Sequence, residues 1–497
     1  MKTNEFSTRP LQSRLMPNSQ RWTVTGERAC LAVLFAWLVF LPLPFGSVIE
    51  EARVPLIAVP MALSVIAALL RLHATRDRTH TAQPTRPWAI WSVGTLILIA
   101  YVIVQLVPLP RSALRVLSPE AHAIWNGASQ LAVMAGATPR EAWPLTVDPH
   151  ATTYELFRLA ALFATFTTAA LLIRTHTRRQ VLAFTLCCSA MFEAFYGIRE
   201  AALNRYAIWG WVNRLIFDRV TGTFVNPNHF GHYLAIVLPM ALFIAAVFWY
   251  RAGGPQSTPA QRLAQVIEHS LLTIGFALMA AIACAAGILL SQSRGALLAL
   301  GAGLLTVVAM LPGRRVARIA SGTAAGLVAI TALALFLGPE RTVTRFLGST
   351  DAVASRQVSI SAAIGIWQRF SIFGSGAGTF ERVVSMEQGQ NFDVIYHHAH
   401  NDFAELAATT GMLGFVIAMV TLAGGYVALV RLTFGASSGE ITWSRRAFQT
   451  AALASLTIAM IHALFDFNFY IPANPATLAA IVGASVASLD HDRRIRR

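Results

Sequence analysis

Lysine is almost absent from this chain. Lys2 is the only one in 497 residues, so the 39 basic residues are nearly all arginine. Charge of both signs is scarce at 13%, against roughly 25% in a soluble globular domain, which excludes that class. Cysteine is limited to Cys30, Cys187, Cys188 and Cys284. All four lie in apolar runs, where a cysteine behaves as a small buried hydrophobe, so neither a disulfide framework nor a metal-binding cysteine pair is expected. Alternating ten-residue strands are missing, which argues against a β-barrel. No internal repeat or inverted symmetry is visible, which disfavours the repeat-built transporter folds. Residues 1–28 hold no short apolar core followed by a small-residue cleavage site, so they read as a cytoplasmic tail.

What fills the chain is apolar: 55% of residues are hydrophobic and the mean hydropathy is +0.55. Runs of about 18 to 22 apolar residues recur, each long enough to cross a hydrocarbon core as a helix. Spans are expected at 29–45, 54–70, 88–107, 153–173, 181–197, 230–250 and 270–290. An eighth follows the turn SQSRG, a ninth covers 319–337, and a tenth starts after residue 400 and ends near Arg431; two more precede the tail DHDRRIRR. The reading is an all-α polytopic membrane protein of about twelve helices. Its bundle occupies 29–488, and a long outer loop with short helices, 338–399, sits between helices nine and ten. Arginine-rich connections such as RTHTRRQ and PGRRVAR then fall on the cytoplasmic side, with both termini inside and 489–497 as a second cytoplasmic tail. The formal charge of +15 is scattered through these short loops, the pattern of topology determinants rather than of a nucleic-acid surface.

Arginines left on the outer side are unexplained by orientation. Arg199, Arg205, Arg214 and Arg219 bracket the second outer segment, Arg294 stands alone in SQSRG, and Arg341, Arg345, Arg356, Arg369 and Arg382 punctuate the long loop. Arg294, between two apolar runs, reads either as a side chain snorkelling to headgroups or as an anion site facing the bundle, since a guanidinium offers a permanent charge and forked donors. Arg199 and Arg219 carry the same argument more weakly. In RVTGTFVNPNHFGHY, Asn226 and Asn228 are expected to cap the following helix, and His229 and His232 to be satisfied locally. GSGAGTF at 374–380 has no preceding strand, so it reads as a tight turn rather than a dinucleotide fingerprint.

The segment YHHAHNDFAELAATTGMLG, 396–414, places three histidines at the mouth of a span with Asp402 and Glu405 in its first turns. Ionisable residues at a membrane edge are costly and mark a site by default. The spacing of His397, His398 and His400 matches neither a zincin nor a deaminase, so no metal is expected. A structural histidine cluster and a general base both remain open. His400 is the favoured base, oriented by Asp402, Glu405 or Asp466, because a neutral imidazole is suited to accept a hydroxyl proton.

These motifs together resemble the O-antigen ligase and polymerase superfamily of bacterial envelope glycosyltransferases. His400, Asn401, nine residues and then Gly411 and Gly414 fit the ligase pattern HN, nine of any residue, GxxG. GTFVNPNHFG at 222–231, SQSRGALLA at 291–299, GSGAGTF at 374–380 and HALFDFNF at 462–469 follow in the expected order. The resemblance implies a GT-C-like enzyme of the bacterial inner membrane with a periplasmic site and no cofactor. It would move a glycan from undecaprenyl diphosphate to a sugar hydroxyl of lipid A-core, inverting the anomeric centre without a metal. It implies His400 as the essential histidine and Arg219, Arg294 and, less distinctively, Arg199 as diphosphate ligands, with His397, His398, Asn401 and Asn228 in support. The alternatives are an O-antigen polymerase or a protein O-oligosaccharyltransferase of the same superfamily and, from another class, a lipid-linked glycan transporter.

Overall fold

The computed structural model describes residues 18–76, 85–212, 218–253, 257–310, 350–387, 396–435 and 440–487. Among them eight helices are long and apolar enough to cross a membrane, and the protein is a multi-pass, all-α membrane protein. In chain order the first three helices are α1 (Asn18–Phe40), α2 (Glu50–Arg76) and α3 (Arg86–Leu106). Two short helices follow, α4 (Arg111–Leu117) and α5 (Pro119–Met134), then α6 (Pro149–Leu172), α7 (His176–Ala202) and α8 (Pro227–Arg251). A brief α9 (Pro259–His269) precedes α10 (Leu271–Leu290) and α11 (Arg294–Met310). The last group is α12 (Thr350–Arg369), α13 (Phe380–Val383), α14 (Asp402–Phe434), α15 (Glu440–His462) and α16 (Ala473–Val486). Two antiparallel ladders of two residues each, Leu109–Pro110 with Ala142–Trp143 and Ala207–Ile208 with Trp211–Val212, tie off loops.

Expected spans one to seven and ten coincide with long helices. Helix α1 starts at Asn18, inside the segment expected to precede the first span. Its polar first turns are held because Glu27 pairs with both Arg71 and Arg178, at 3.5 and 2.7 Å. The ninth span, Arg214, Arg341, Arg345 and the terminal tails beyond 18–487 lie outside the described residues. The long loop carries a 20-residue helix, α12.

Helix α8 is the axis of the bundle, apolar around its whole circumference and packed against α7, α10, α11 and α15. A helix hydrophobic all round belongs in an interior. Asn226 caps its N-terminus by accepting from Asn228 N at 2.9 Å, and Pro227 occupies a first-turn position where no N–H is needed. Pro239 interrupts its ladder, and Ser455 of α15 donates to the nearby Ile236 carbonyl at 2.7 Å. A smaller apolar core, including Leu114, Trp143, Ile366, Phe370, Phe380 and Ala408, joins α4, α12, α13 and the start of α14 at one end of the bundle.

Just past the smaller core, α14 is broken. Gly411 has φ 65° and ψ −176°, and the GSGAGTF loop docks into the gap. Ser375 N and Gly376 N donate to the freed carbonyls of Ala408 and Thr409, while Met412 N and Leu413 N donate to Ser371 and Ile372. From α3, Tyr101 donates to Thr410 O at 2.7 Å and Gln105 to Phe373 O at 2.7 Å. Irregular backbone at membrane depth survives only when its polar groups are met in this way. Gly411 therefore serves to open the helix for this loop, whereas Gly414 is the close-packing glycine, lying against Thr410 and the Tyr101 ring.

Candidate functional site

The site is built on the turn that starts α14. Asn401 is the N-cap, its side chain accepting from Phe403 N and Ala404 N at 3.0 Å each. The Asn401 amide donates back to Leu464 O at 3.1 Å, and Asp402 N donates to Ala463 O at 2.9 Å, so the turn is stitched to the end of α15. From α12, Ser359 donates to Ala399 O at 3.0 Å. His400, between these anchors, has φ 51°. A non-glycine residue in the left-handed region stores strain that the surroundings must hold.

Asp466, in the turn after α15, is the hub. Its carboxylate takes His400 Nδ1 at 3.1 Å, Asn228 Nδ2 at 2.7 Å and Phe467 N at 3.0 Å. Arg356 Nη2 stands 3.6 Å away and His229 Nε2 3.7 Å away. Burial alone would raise this carboxyl, but the imidazoles of His229 and His400 outweigh it and hold it well below the usual carboxylate range. Behind Asn228, Arg219 donates to Asn228 Oδ1 at 3.1 Å and to Ser291 O at 2.8 Å. Three separate motifs, VNPNH, SQSR and FDF, thus close around the histidine turn.

A second pair also stands against Phe467. His398 Nδ1 is 2.9 Å from Glu405 Oε1, and the second Glu405 oxygen accepts from Ala399 N at 2.8 Å. Burial by itself lowers the His398 pKa, but the Glu405 carboxylate outweighs it and holds the imidazole above its ordinary value. The His398 ring stacks on Phe467 and lies beside Tyr470, at centroid distances of 4.3 and 4.8 Å. Phe467 also meets His229 and His400 edge-on. From α6, Arg158 pairs with Glu155, donates to Phe469 O at 2.6 Å and faces the Tyr470 ring. Beyond His398 opens a cleft lined by residues of α2, α6, the VNPNH turn and the segment around Tyr470.

Of the three acids expected near His400, the structure brings Asp466 to it. Asp402 instead accepts from Phe469 N at 3.2 Å, because a first-turn residue of α14 points back along the helix start toward that turn. Glu405, one turn on, belongs to His398. His397 is exposed and lies 3.0 Å from Glu381. Asn228 is no cap; its side chain lies between Asp466 and Arg219. Arg294 begins α11 and is half-buried. Its neighbour Gly295 packs against the His462 ring. Arg199 ends α7, largely exposed and paired with Glu200, and among the described contacts none joins it to this cluster. Sequence reasoning passed over Arg158, Glu155, Phe467 and Tyr470, and gave His229 and Arg356 no role. An arginine and a glutamate three residues apart inside an apolar run were a readable signal; nothing in spacing singles out Arg356. Among the described residues no three His, Cys, Asp or Glu side chains are grouped to hold a metal ion.

No curated protein matches the chain. Residues 279–419 match the family model described as O-antigen ligase. The matched stretch runs from α10 into α14 and contains the SQSR turn, the GSGAGTF loop and the HN turn with its two glycines. Over these residues the chain is similar to that family.

Proposed function

We propose that the protein is an O-antigen ligase that transfers a glycan from undecaprenyl diphosphate to a sugar hydroxyl of lipid A-core, at the periplasmic edge of the bacterial inner membrane. The observation that carries this reading is the His400–Asp466 pair, in which His400 sits in a strained turn inside the matched segment and Asp466 reaches it from outside that segment. An ionised carboxylate has no proton to give, so Nδ1 is the protonated nitrogen and Nε2 keeps its lone pair. His400 Nε2 takes the acceptor hydroxyl proton as the acceptor oxygen bonds to the anomeric carbon. The bond from that carbon to the diphosphate oxygen breaks from the opposite face, which inverts the centre, and undecaprenyl diphosphate leaves with the electron pair.

The leaving group carries the developing negative charge, and preorganised cations in a poorly solvated site stabilise it most. Arg219 and Arg294 border the SQSR turn, and Arg356 adjoins Asp466; these three are assigned to the diphosphate. Arg199 is left out, since it is exposed and engaged with Glu200. Charge supplied by arginines makes the reaction independent of added divalent metal or chelator.

The test is transfer by purified protein from a defined lipid-linked donor to lipid A-core. His400→Ala protein that inserts and folds but transfers nothing supports the reading; wild-type transfer by this variant sinks it. The lipopolysaccharide of a strain lacking the protein separates ligase from polymerase. Bare core with accumulated lipid-linked polymer marks the ligase, and core bearing one repeat unit marks the polymerase.

A further inference from the structure

The cleft beyond Phe467 is not used by the chemistry just described, and its lining says what it holds. Its charged groups come mostly as pairs: Arg158 with Glu155, His398 with Glu405 at 2.9 Å, His397 with Glu381 at 3.0 Å and Arg53 with Glu50 at 3.4 Å, while Arg382 meets Asp148, outside the lining, at 3.1 Å. Each of these cations has a carboxylate beside it, so the lining as a whole carries little net charge to draw a diphosphate. Donors and acceptors alternating over a neutral surface suit instead the vicinal hydroxyls of a sugar, which both give and take hydrogen bonds. The rings of Phe467 and Tyr470 add apolar faces for the C–H surface of a pyranose.

The position of the cleft selects one of the two substrates. The arginine chain from Ser291 through Arg219 and Asn228 ends at Asp466, and neither these arginine-side groups nor Arg294 and Arg356 line the cleft. The His398–Glu405 pair does line it, and His229 and Phe467 border it while touching the His400 group. A lipid diphosphate on the arginine side leaves the cleft to the other reactant, with the His400 ring close to both. Within His398, Glu405 occupies Nδ1 and leaves Nε2 as the nitrogen available to a ligand.

We propose that this cleft is the acceptor subsite, binding the saccharide of the acceptor glycolipid, and that His398, held by Glu405, is the residue that positions it. The inference rests on the transferase reading for its assignment to the acceptor. A delipidated core oligosaccharide, titrated against detergent-purified protein without donor, tests it directly. Two variants report on the cleft. His398→Ala removes the positioning imidazole, and Ala151→Trp fills the cleft from its wall on the first turn of α6 without deleting any hydrogen bond described above.

The oligosaccharide is expected to bind wild-type and His400→Ala protein alike, and about tenfold or more weakly to each cleft variant, the loss of one charge-assisted contact. In turnover, the acceptor KM rises by the same factor while the donor KM does not move. Unchanged oligosaccharide binding in both variants overturns the proposal, as does a rise in donor KM, which would assign the cleft to the donor glycan. Binding to His400→Ala protein needs no catalysis, so a failure of the base assignment leaves this readout intact.

Discussion

The two histidine–carboxylate pairs that stand against Phe467 have the same chemical parts and the same side-chain exposure at the imidazole, 27%, yet they are built differently. His400 sits in left-handed backbone and meets a carboxylate that also gathers Asn228, Arg356 and a backbone N–H. His398 is outside the left-handed region, stacks on Phe467 beside Tyr470, and meets a carboxylate supplied by the first turns of its own following helix. Strain and a shared hub fix the direction of the first ring, whereas stacking fixes the plane of the second. The first arrangement suits a proton acceptor whose free nitrogen must be aimed. The second suits a donor that holds a ligand.

The largest expected effect separates them by rate. His400→Ala lowers kcat by about 10³-fold, within the range of a lost general base, and Asp466→Asn lowers it by about 10²-fold by releasing the tautomer. Neither variant raises the acceptor KM comparably. His398→Ala does the reverse, acting through the acceptor KM. Steady-state kinetics with both substrates varied reads this split, and an equal loss of kcat in His398→Ala and His400→Ala would erase the distinction.

A second perturbation reaches the pairs unequally through the backbone. A Cβ at Gly411 would stand 2.3 Å from Ile372 O and 2.4 Å from Gly374 N, both backbone atoms, at φ +65°. Gly411→Ala is therefore expected to destabilise the protein by about 2 kcal/mol or more, seen as a lower Tm in detergent. The displaced GSGAGTF loop is bonded to Ala408 and Thr409, one turn beyond Glu405. Asp466 hangs instead from the end of α15. The variant's kinetic loss should fall more on acceptor KM than on kcat, and a pure kcat loss would show that the break supports the Asp466 side. Asn401→Ala removes a cap made to two N–H groups and is expected to cost about 1 kcal/mol, measured the same way.

How much of this was legible follows from the kind of signal each feature leaves. Membrane spans declare themselves by apolar length, so α2, α3, α6, α7, α8, α10 and α14 fell near their expected places. The HN turn was readable because ionisable residues crowd a helix start. Which acid meets His400 was not, since Asp402 and Glu405 are near in sequence while Asp466 arrives from a turn 66 residues away, and no local pattern ranks long-range neighbours. The role of Gly411 was hidden for a related reason: a small residue in an apolar run reads as close packing, and only the docked loop reveals a broken helix. Arg158 with Glu155 leaves a visible pattern, but an acid and a base three residues apart near a helix start also read as an ordinary pair on one helix face, and only the contact with Phe469 and Tyr470 marks them as part of the site.

The smallest expected effect is a shift of pH limits. His398 has a folded-state pKa above its ordinary 6.5, so the stability its proton contributes is present below that ordinary value and is lost as pH rises through the raised one. Asp466 has a folded-state pKa below its ordinary 3.8. Its contribution is present above 3.8 and is lost as pH falls through the depressed value. In Glu405→Gln the charge that outweighed burial is gone and burial again lowers His398, so its share of the alkaline loss of Tm disappears and a loss on falling below its ordinary value takes its place. Asp466→Asn should do the converse, removing its share of the acid loss and leaving the alkaline one. Tm measured across pH 3 to 9 in both variants, roughly the span over which these groups titrate, reads the two limits separately. If Glu405→Gln leaves the alkaline limit in place, His398 is not the group that sets it, and the two pairs differ less than their surroundings imply.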